Sequence, residues 1–375
     1  MWFKSVKLVL ALGAVTLMSS ACSVTTSNST AKALSGQTVD SSVFLSTDSG
    51  KSWHVMTDVP MVGGKAQNIS DLNVNTIAMD PQDSLALYLA SFNQGLYYTY
   101  NVAQGWNKVA SLPQATVNDV KVDPKDKCNI YAAISNRLYR SSDCTRTWTQ
   151  VYFDNSADIN INTIAIDHYN SRNIYIGTSR GEIIKSIDSG GSWRTIQRLD
   201  DGVARLVMSP LDSRLLFVAS VKNQIFSFHS DTLTNAANSA DVSKNFSVSD
   251  WTDLNDVLHD YDLGNTLKDI TISSKDGIIF LVTDKLILRS PDNGLTWEDI
   301  KLLQPEKDAV INAFTVNPQD SKDIYYVTNT TFFHSIDGGA TWSTKSLPTK
   351  RAGRVLLIDF KTPTNLYLGT LQSKS

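Results

Sequence analysis

The octapeptide SIDGGATW at 335–342 returns as SIDSGGSW at 186–193, STDSGKSW at 46–53 and SPDNGLTW at 290–297, with a worn version, SSDCTRTW, at 141–148. A catalytic phrase needs one copy, so a phrase written this often is architectural and its spacing decides the architecture. Apart from Trp2 the chain holds Trp53, Trp106, Trp148, Trp193, Trp251, Trp297 and Trp342, separated by 53, 42, 45, 58, 46 and 45 residues. A period in the forties that also carries short alternating strands is the signature of a β-propeller with one blade per period.

The rest of each period repeats as well. A first-strand phrase occurs as VNTIAMDP (74–81), VNDVKVDP (117–124), INTIAIDH (161–168), VARLVMSP (203–210), LKDITISS (267–274), INAFTVNP (311–318) and, more loosely, RVLLIDFK (354–361). A β-branched and aromatic run follows each, such as NIYIGT or DIYYVT, and then a third strand such as GLYYTY or EIIKSI. Such runs, bounded by turn residues, read as strands. The Trp opens a fourth. The chain begins at a third strand, VFLST (43–47), and ends just after a second, NLYLGT (365–370). The expectation is therefore an all-β, seven-bladed propeller of four-stranded blades, with one blade stitched from the two half-blades at the chain ends. Closure of that kind removes the bare sheet edges that invite aggregation.

In S-x-D-x-G-x-S/T-W the Asp carboxylate is placed to accept backbone N–H groups of a tight turn, and the Gly supplies a positive φ that other residues resist. The Trp adds apolar surface beside the hairpin. The phrase thus reads as a structural staple at Asp48, Gly50 and Trp53, at Asp143 and Trp148, at Asp188, Gly190 and Trp193, at Asp292, Gly294 and Trp297, and at Asp337, Gly339 and Trp342. Thr145 replaces the Gly in the copy at 141–148, and the reading there is that a crosslink stands in for the glycine. An aliphatic residue three places after the Trp recurs as Met56, Val109, Val151, Ile196, Leu254 and Ile300, with Lys345 as the exception; the sequence offers no account of that spacing.

These residues resemble the Asp-box, or BNR, repeat. By length and blade count the chain is similar to the seven-bladed propellers of the photosystem II stability/assembly factor type, and sialidases, xyloglucanases and sortilin share the box on other frames. The resemblance implies a propeller whose Asp-box aspartates are structural and whose ligands bind on the opposite face. It does not fix a function.

The N-terminus reads as export machinery. Lys4 and Lys7 precede an apolar run, Leu8 to Met18, too short for the ~20 residues of a membrane-spanning helix. Small residues lead to Cys22, so residues 1–22 resemble a bacterial lipoprotein signal with Cys22 as the lipidated residue, although Ser19 stands where such signals usually have Leu. An ordinary cleaved secretion signal is the alternative. Residues 23–41, rich in Ser and Thr, read as a flexible tether, and 42–375 as the propeller. This places the molecule on the extracytoplasmic side of a membrane, held by its lipid.

Candidate chemistry is sparse. The formal net charge of −3 gives no reason to expect nucleic acid as a partner. The histidines lack metal-ligand spacing, and no phosphate or dinucleotide fingerprint is present, so neither metal nor cofactor is expected. A sialidase-type R-I-P tripeptide is missing and glutamate is limited to Glu182, Glu298 and Glu306. Cys128 and Cys144 fall in two turns on the same face of one blade, and in an oxidising compartment a disulfide is expected, with two separate thiols as the alternative. Nine of the twelve arginines lie between Arg137 and Arg214, interleaved with acids; Arg172, Arg180 and Arg205 are taken as candidate binding residues. Asp260 and Asp262, in a D-x-D-x-G run within the long irregular blade at 221–266, are further candidates, since recognition is often placed on long loops of a rigid frame.

The resulting expectation is a monomeric binding or assembly scaffold that docks an envelope protein or glycan on its loop-bearing face. The alternative is a sialidase- or xyloglucanase-like glycoside hydrolase using carboxylates on that same face.

Overall fold

The computed structural model describes residues 38–60, 67–230, 250–303 and 310–372. Seven four-stranded antiparallel sheets are arranged as the blades of a ring. Blade 1 runs Val74–Asp80, Asp83–Ser91, Leu96–Thr99 and Asn107–Lys108. Blade 2 runs Val117–Asp123, Asp126–Ile134, Arg137–Ser141 and Thr149–Phe153, and blade 3 Ile161–Ile166, Ile174–Thr178, Glu182–Ser186 and Arg194–Arg198. Blade 4 comprises Val203–Met208, Leu215–Ser220, Ile225–His229 and Trp251–Asp253; blade 5, Leu267–Ile272, Ile279–Thr283, Ile287–Ser290 and Glu298–Asp299; blade 6, Ala313–Asn317, Asp320–Val327, Thr331–Ser335 and Ser343–Ser346.

Blade 7 is the stitched one. Its inner pair, Ala352–Ile358 and Leu366–Leu371, comes from the end of the chain, and its outer pair, Val43–Ser46 and His54–Val55, from the beginning. The seam is an antiparallel register of Val43 with Gly369 through Ser46 with Leu366. The chain is fixed earlier than the sequence suggests. Residues 38–41 read as the end of a tether, yet Val39 N–H donates to the Pro348 carbonyl at 2.8 Å, Asp40 pairs with Arg351, and the Thr370 hydroxyl donates to the buried Ser41 carbonyl at 2.8 Å. Cys22 and the signal segment lie outside the described residues.

The core lies between blades rather than within them. Tyr131, Ala133 and Leu138 of blade 2, for example, pack on Ile161, Ile164, Ile174, Ile176 and Ile184 of blade 3. Each sheet is apolar on both faces because each face meets a neighbour, and the second strands are almost wholly buried. One element has no trace in the sequence pattern. A two-stranded ribbon, Asp58–Val59 with Gln67–Asn68, lies between blades 7 and 1. Its Asp58 carbonyl accepts Trp106 N–H at 2.8 Å, and Trp106 is 0% exposed.

The repeated turns have the hydrogen bonding expected of them, five times over. In the blade 6 copy the Ser335 hydroxyl donates to Asp337 and accepts Gly339 N–H, each at 2.8 Å, while Thr341 donates its N–H at 2.8 Å and its hydroxyl at 2.6 Å to the Asp337 carboxylate. The same set recurs around Asp48, Asp143, Asp188 and Asp292. Two consecutive residues in each turn have positive φ, as at Gly338 (72°) and Gly339 (93°).

The turn is more than a hairpin staple, because its glycine abuts the preceding blade. A Cβ on Gly339 would stand 2.3 Å from Ile300 Cγ2, one on Gly294 2.7 Å from Leu254 Cδ1, and one on Gly190 3.1 Å from Val151 Cβ. Ile300, Leu254 and Val151 are three of the residues that follow a Trp by three places. That spacing therefore sets each aliphatic side chain onto the next blade's glycine. The Trp completes the joint: Trp193 Nε1 donates to the Val151 carbonyl at 2.8 Å, Trp342 Nε1 to Lys301 at 2.9 Å and Trp106 Nε1 to Met56 at 2.8 Å. The Lys345 exception also has its explanation. Gly50 meets Phe332 of blade 6 instead, Trp53 packs edge-on to the same ring, and Lys345 Nζ reaches the Lys51 carbonyl at 2.8 Å.

Gly338 and Gly339 separate the two demands on this turn. Alanine at either incurs backbone strain on the order of 1 kcal/mol from its positive φ. Gly338 faces the end of the flexible Arg289 side chain at 3.0 Å and Lys322 Cγ at an ordinary 3.8 Å, whereas Gly339 faces Ile300. Gly339→Ala should lose about 1–3 kcal/mol more than Gly338→Ala in denaturant melts, the usual cost of overpacking. In an Ile300→Ala background that excess should shrink, a coupling that a double-mutant cycle reads directly. Equal losses at both glycines would show that the interblade contact carries no energy.

Candidate functional site

Antiparallel four-stranded blades put the first-to-second and third-to-fourth turns at one end of the ring, here termed the turn face. The second-to-third turns and the connections between blades lie at the other end, the loop face. The turn face is occupied by structure. Ser189 N–H donates to the Arg172 carbonyl at 3.0 Å, Gly338 to Lys322 at 2.9 Å, Ser49 to Thr364 at 2.9 Å and Cys144 to Cys128 at 3.2 Å, each tying one turn of a blade to the other.

Cys128 and Cys144 occupy the blade 2 version of that tie and are bridged as a disulfide, with Cα atoms 4.0 Å apart. The crosslink does not replace the glycine geometry, contrary to the sequence expectation. Cys144 and Thr145 both take positive φ, 55° and 68°. Thr145 is held there by its N–H on the Ser141 hydroxyl at 3.0 Å and by Tyr100, whose hydroxyl lies 3.1 Å from Thr145 Oγ1 and donates to the Cys144 carbonyl at 2.8 Å.

The three candidate arginines are not brought together. Arg172 is exposed in the first-to-second turn of blade 3, on the turn face and away from the loop face assigned to binding. Arg180 is on the loop face, but it is tied: Nη2 lies 2.7 Å from Glu182 Oε2 and 3.0 Å from Asp154 Oδ2, beside a cavity of about 470 Å³ lined by Tyr152, Asp154 and Ser156. Arg198 pairs with the other Glu182 oxygen. Glu182 is 4% exposed; burial works against its charge, and the two arginines more than offset this and hold its carboxyl below the usual range. Arg180 is therefore a structural partner of a buried carboxylate as well as a candidate binding residue, and its removal would leave Glu182 with Arg198 as its remaining charged partner.

Arg205 is in neither place. It rises from the first strand of blade 4 into a central channel of about 850 Å³ lined by the first strands of the ring. Its Nε lies 3.4 Å from Asp269 Oδ1 of blade 5. Asp269 is 37% exposed, but to the lumen rather than to bulk solvent, and enclosure raises its carboxyl against the pull of Arg205 and Lys121. Asp260 and Asp262 are exposed on the loop face, where Asp262 accepts Lys285 Nζ at 2.7 Å. The insertion at 231–249 lies outside the described residues.

The channel mouth on the loop face holds residues that the sequence reading passed over. At the second position of the first six first-strand phrases stand Asn75, Asn118, Asn162, Ala204, Lys268 and Asn312, and Arg354, which opens the looser seventh phrase, takes the matching register position in blade 7. The first three amides tie blade to blade, donating to Val117 at 2.9 Å, Ile161 at 2.9 Å and Val203 at 2.8 Å. Aligning the seven phrases would have revealed this ring of positions.

No protein-family model matches the chain, and no curated protein sequence matches it. Solved structures do. A GH74 xyloglucanase from Xanthomonas campestris superposes with a TM-score of 0.61 at 15% identity over 80% of this chain and 51% of its own. The Niastella koreensis GH74 enzyme gives 0.61 at 15% over 84% and 52%. A structure of YCF48 bound to D1 peptide gives 0.58 at 16% over 80% and 93%. The chain thus spans about half the length of the two GH74 proteins. The likeness is one of fold, and it joins enzymes and an assembly factor alike.

The turn carboxylates give a pH signature. The Thr341 hydroxyl and N–H, with Ser335, hold the Asp337 carboxyl down at about 2, against 3.8 when free. A carboxyl depressed in the folded state contributes stability that is present in full above its unfolded value and is lost as pH falls through the folded one. Asp337→Asn should therefore flatten the melting-temperature profile between about pH 4 and pH 2. Carboxyl NMR should find Asp337 among the last groups to protonate; titration at 3.8 would contradict the turn assignment.

Proposed function

We propose that this chain is an extracytoplasmic, lipid-anchored Asp-box propeller that acts as a binding or assembly module, docking an envelope protein or glycan on its loop face. The observation that carries the reading is the state of the carboxylates described there. Glycoside hydrolysis needs one carboxyl protonated and poised and a second one free to act as base or nucleophile. Glu182 is locked by two arginines and Asp269 is paired with Arg205. Asp119 is spent on the backbone N–H groups of Val120 and Ile164, at 2.9 and 2.8 Å. With these three acids engaged, the ring suits recognition better than turnover. The likeness to YCF48, which covers nearly all of that chain, adds support from the non-enzymatic side.

The likeness to GH74 enzymes motivates the second reading, a glycoside hydrolase. Incubation with xyloglucan, other β-glucans and sialosides separates the two. The binding module releases no reducing sugar but recovers a partner when used as bait on solubilised envelope. Turnover lost in an Asp269→Asn variant would favour the enzyme.

The anchor is tested apart from the fold. Cys22→Ala should abolish lipid labelling and move the protein from the membrane fraction to the soluble one, leaving its melting temperature unchanged. Unaltered membrane partitioning would sink the lipoprotein reading and leave the propeller as an exported soluble domain.

A further inference from the structure

Three cationic side chains converge on the loop-face mouth of the channel from different blades: Arg205 from blade 4, Lys268 from blade 5 and Arg354 from blade 7. With Lys121 they make four cations against two carboxylates, Asp119 and Asp269, in the channel wall. Both carboxylates are already answered. Asp269 has Arg205, and Asp119 has two backbone N–H groups and Lys121 at 3.6 Å. Among the described residues Lys268 and Arg354 make no ion pair.

These two charges are expensive where they stand. Desolvation lowers the Lys268 ammonium pKa against the pull of Asp284, and the Arg354 charge adds to the lowering; burial and Arg205 lower that of Arg354 against the pull of Asp269. Arg354 donates Nη2 to Asn75 Oδ1 at 3.0 Å and rests over the Phe92 ring at 5.8 Å, while its Nε is buried with no acceptor. Architecture does not require either cation. At the same position of blades 1, 2 and 3 a neutral asparagine ties one blade to the next.

We propose that the channel mouth is an anion site that takes a small organic acid, with a carboxylate seated between Lys268 and Arg354. The inference deepens the binding-module reading and rests on it, naming the ligand chemistry of the same face. An enclosed, low-dielectric channel focuses the field of its charges, and hydrogen bonds from a charged donor to a charged acceptor are the strong ones. A lumen of about 850 Å³ falls in the range of small-molecule sites and is far larger than an inorganic ion needs. A neutral sugar is disfavoured because the aromatic face at the mouth, Phe92, is already covered by Arg354.

The test is calorimetric titration of the full chain at low ionic strength with glutarate, citrate, inorganic phosphate and the uncharged glutaramide. Glutarate and citrate should bind saturably and glutaramide should not. Arg354→Gln and Lys268→Asn should each weaken the acids at least tenfold. Lys268→Asn installs the amide that blades 1 to 3 carry, so it keeps a foldable variant in the series, with melting temperatures as the check. Absence of saturable binding to the acids, equal binding by the Lys268→Asn variant, or phosphate binding as tightly as citrate would overturn the proposal. Acid binding that persists while envelope capture fails would separate this site from the partner-docking reading.

Discussion

Adjacent blades meet where the turn of one presents an atom-sized gap to an aliphatic side chain of the other. Gly190, Gly294 and Gly339 supply that gap, and Val151, Leu254 and Ile300 fill it. The same turn must also curl through two residues of positive φ, so one glycine meets a backbone demand and a packing demand together. The Ser and Asp side chains consume the turn's N–H groups and so allow it to sit against an apolar neighbour without orphaned donors. Where the pattern changes, in blade 6 against blade 7, an aromatic ring takes over and the lysine that replaces the aliphatic residue turns outward to a carbonyl.

What could be read in advance follows from how far each signal travels along the chain. Strand phrases and the Trp period are local, and counting them yields seven blades and the split one, because a chain that opens on a third strand and closes on a second can complete a ring only through itself. The aliphatic residue after each Trp could be seen but not explained, since its partner lies one repeat onward. The ribbon Asp58–Val59 with Gln67–Asn68 was invisible, because two-residue strands carry no alternation. The candidate arginines misled for a related reason. In a propeller a short stretch of sequence passes through both faces and the lumen, so Arg172, Arg180 and Arg205 are neighbours in sequence and strangers in space. Lys268 and Arg354 are the converse case, separated in sequence and gathered by the ring.

A ring of this kind divides its labour between its two ends. On the turn face the polar groups bond to one another, and in blade 2 a disulfide reinforces a tie that blades 3, 6 and 7 make with a single backbone hydrogen bond. On the loop face several charges face solvent or lumen, and the long connections between blades emerge there. Rigidity at one end and exposed chemistry at the other is the division of structure and function expected of a frame that presents loops.

The seam in blade 7 also has a mechanical meaning. Residues 38–42 lead directly into Val43–Ser46, whose bonds to Leu366–Leu371 run across the strand direction. A load applied at residue 38 pulls along that strand, so the seam is stressed in shear and its hydrogen bonds share the force instead of opening one after another. The clamps ahead of it, Val39 on Pro348 and Asp40 on Arg351, take the first strain. A propeller held by a leash at this end is gripped at its own point of closure, in the loading geometry that antiparallel strands resist best.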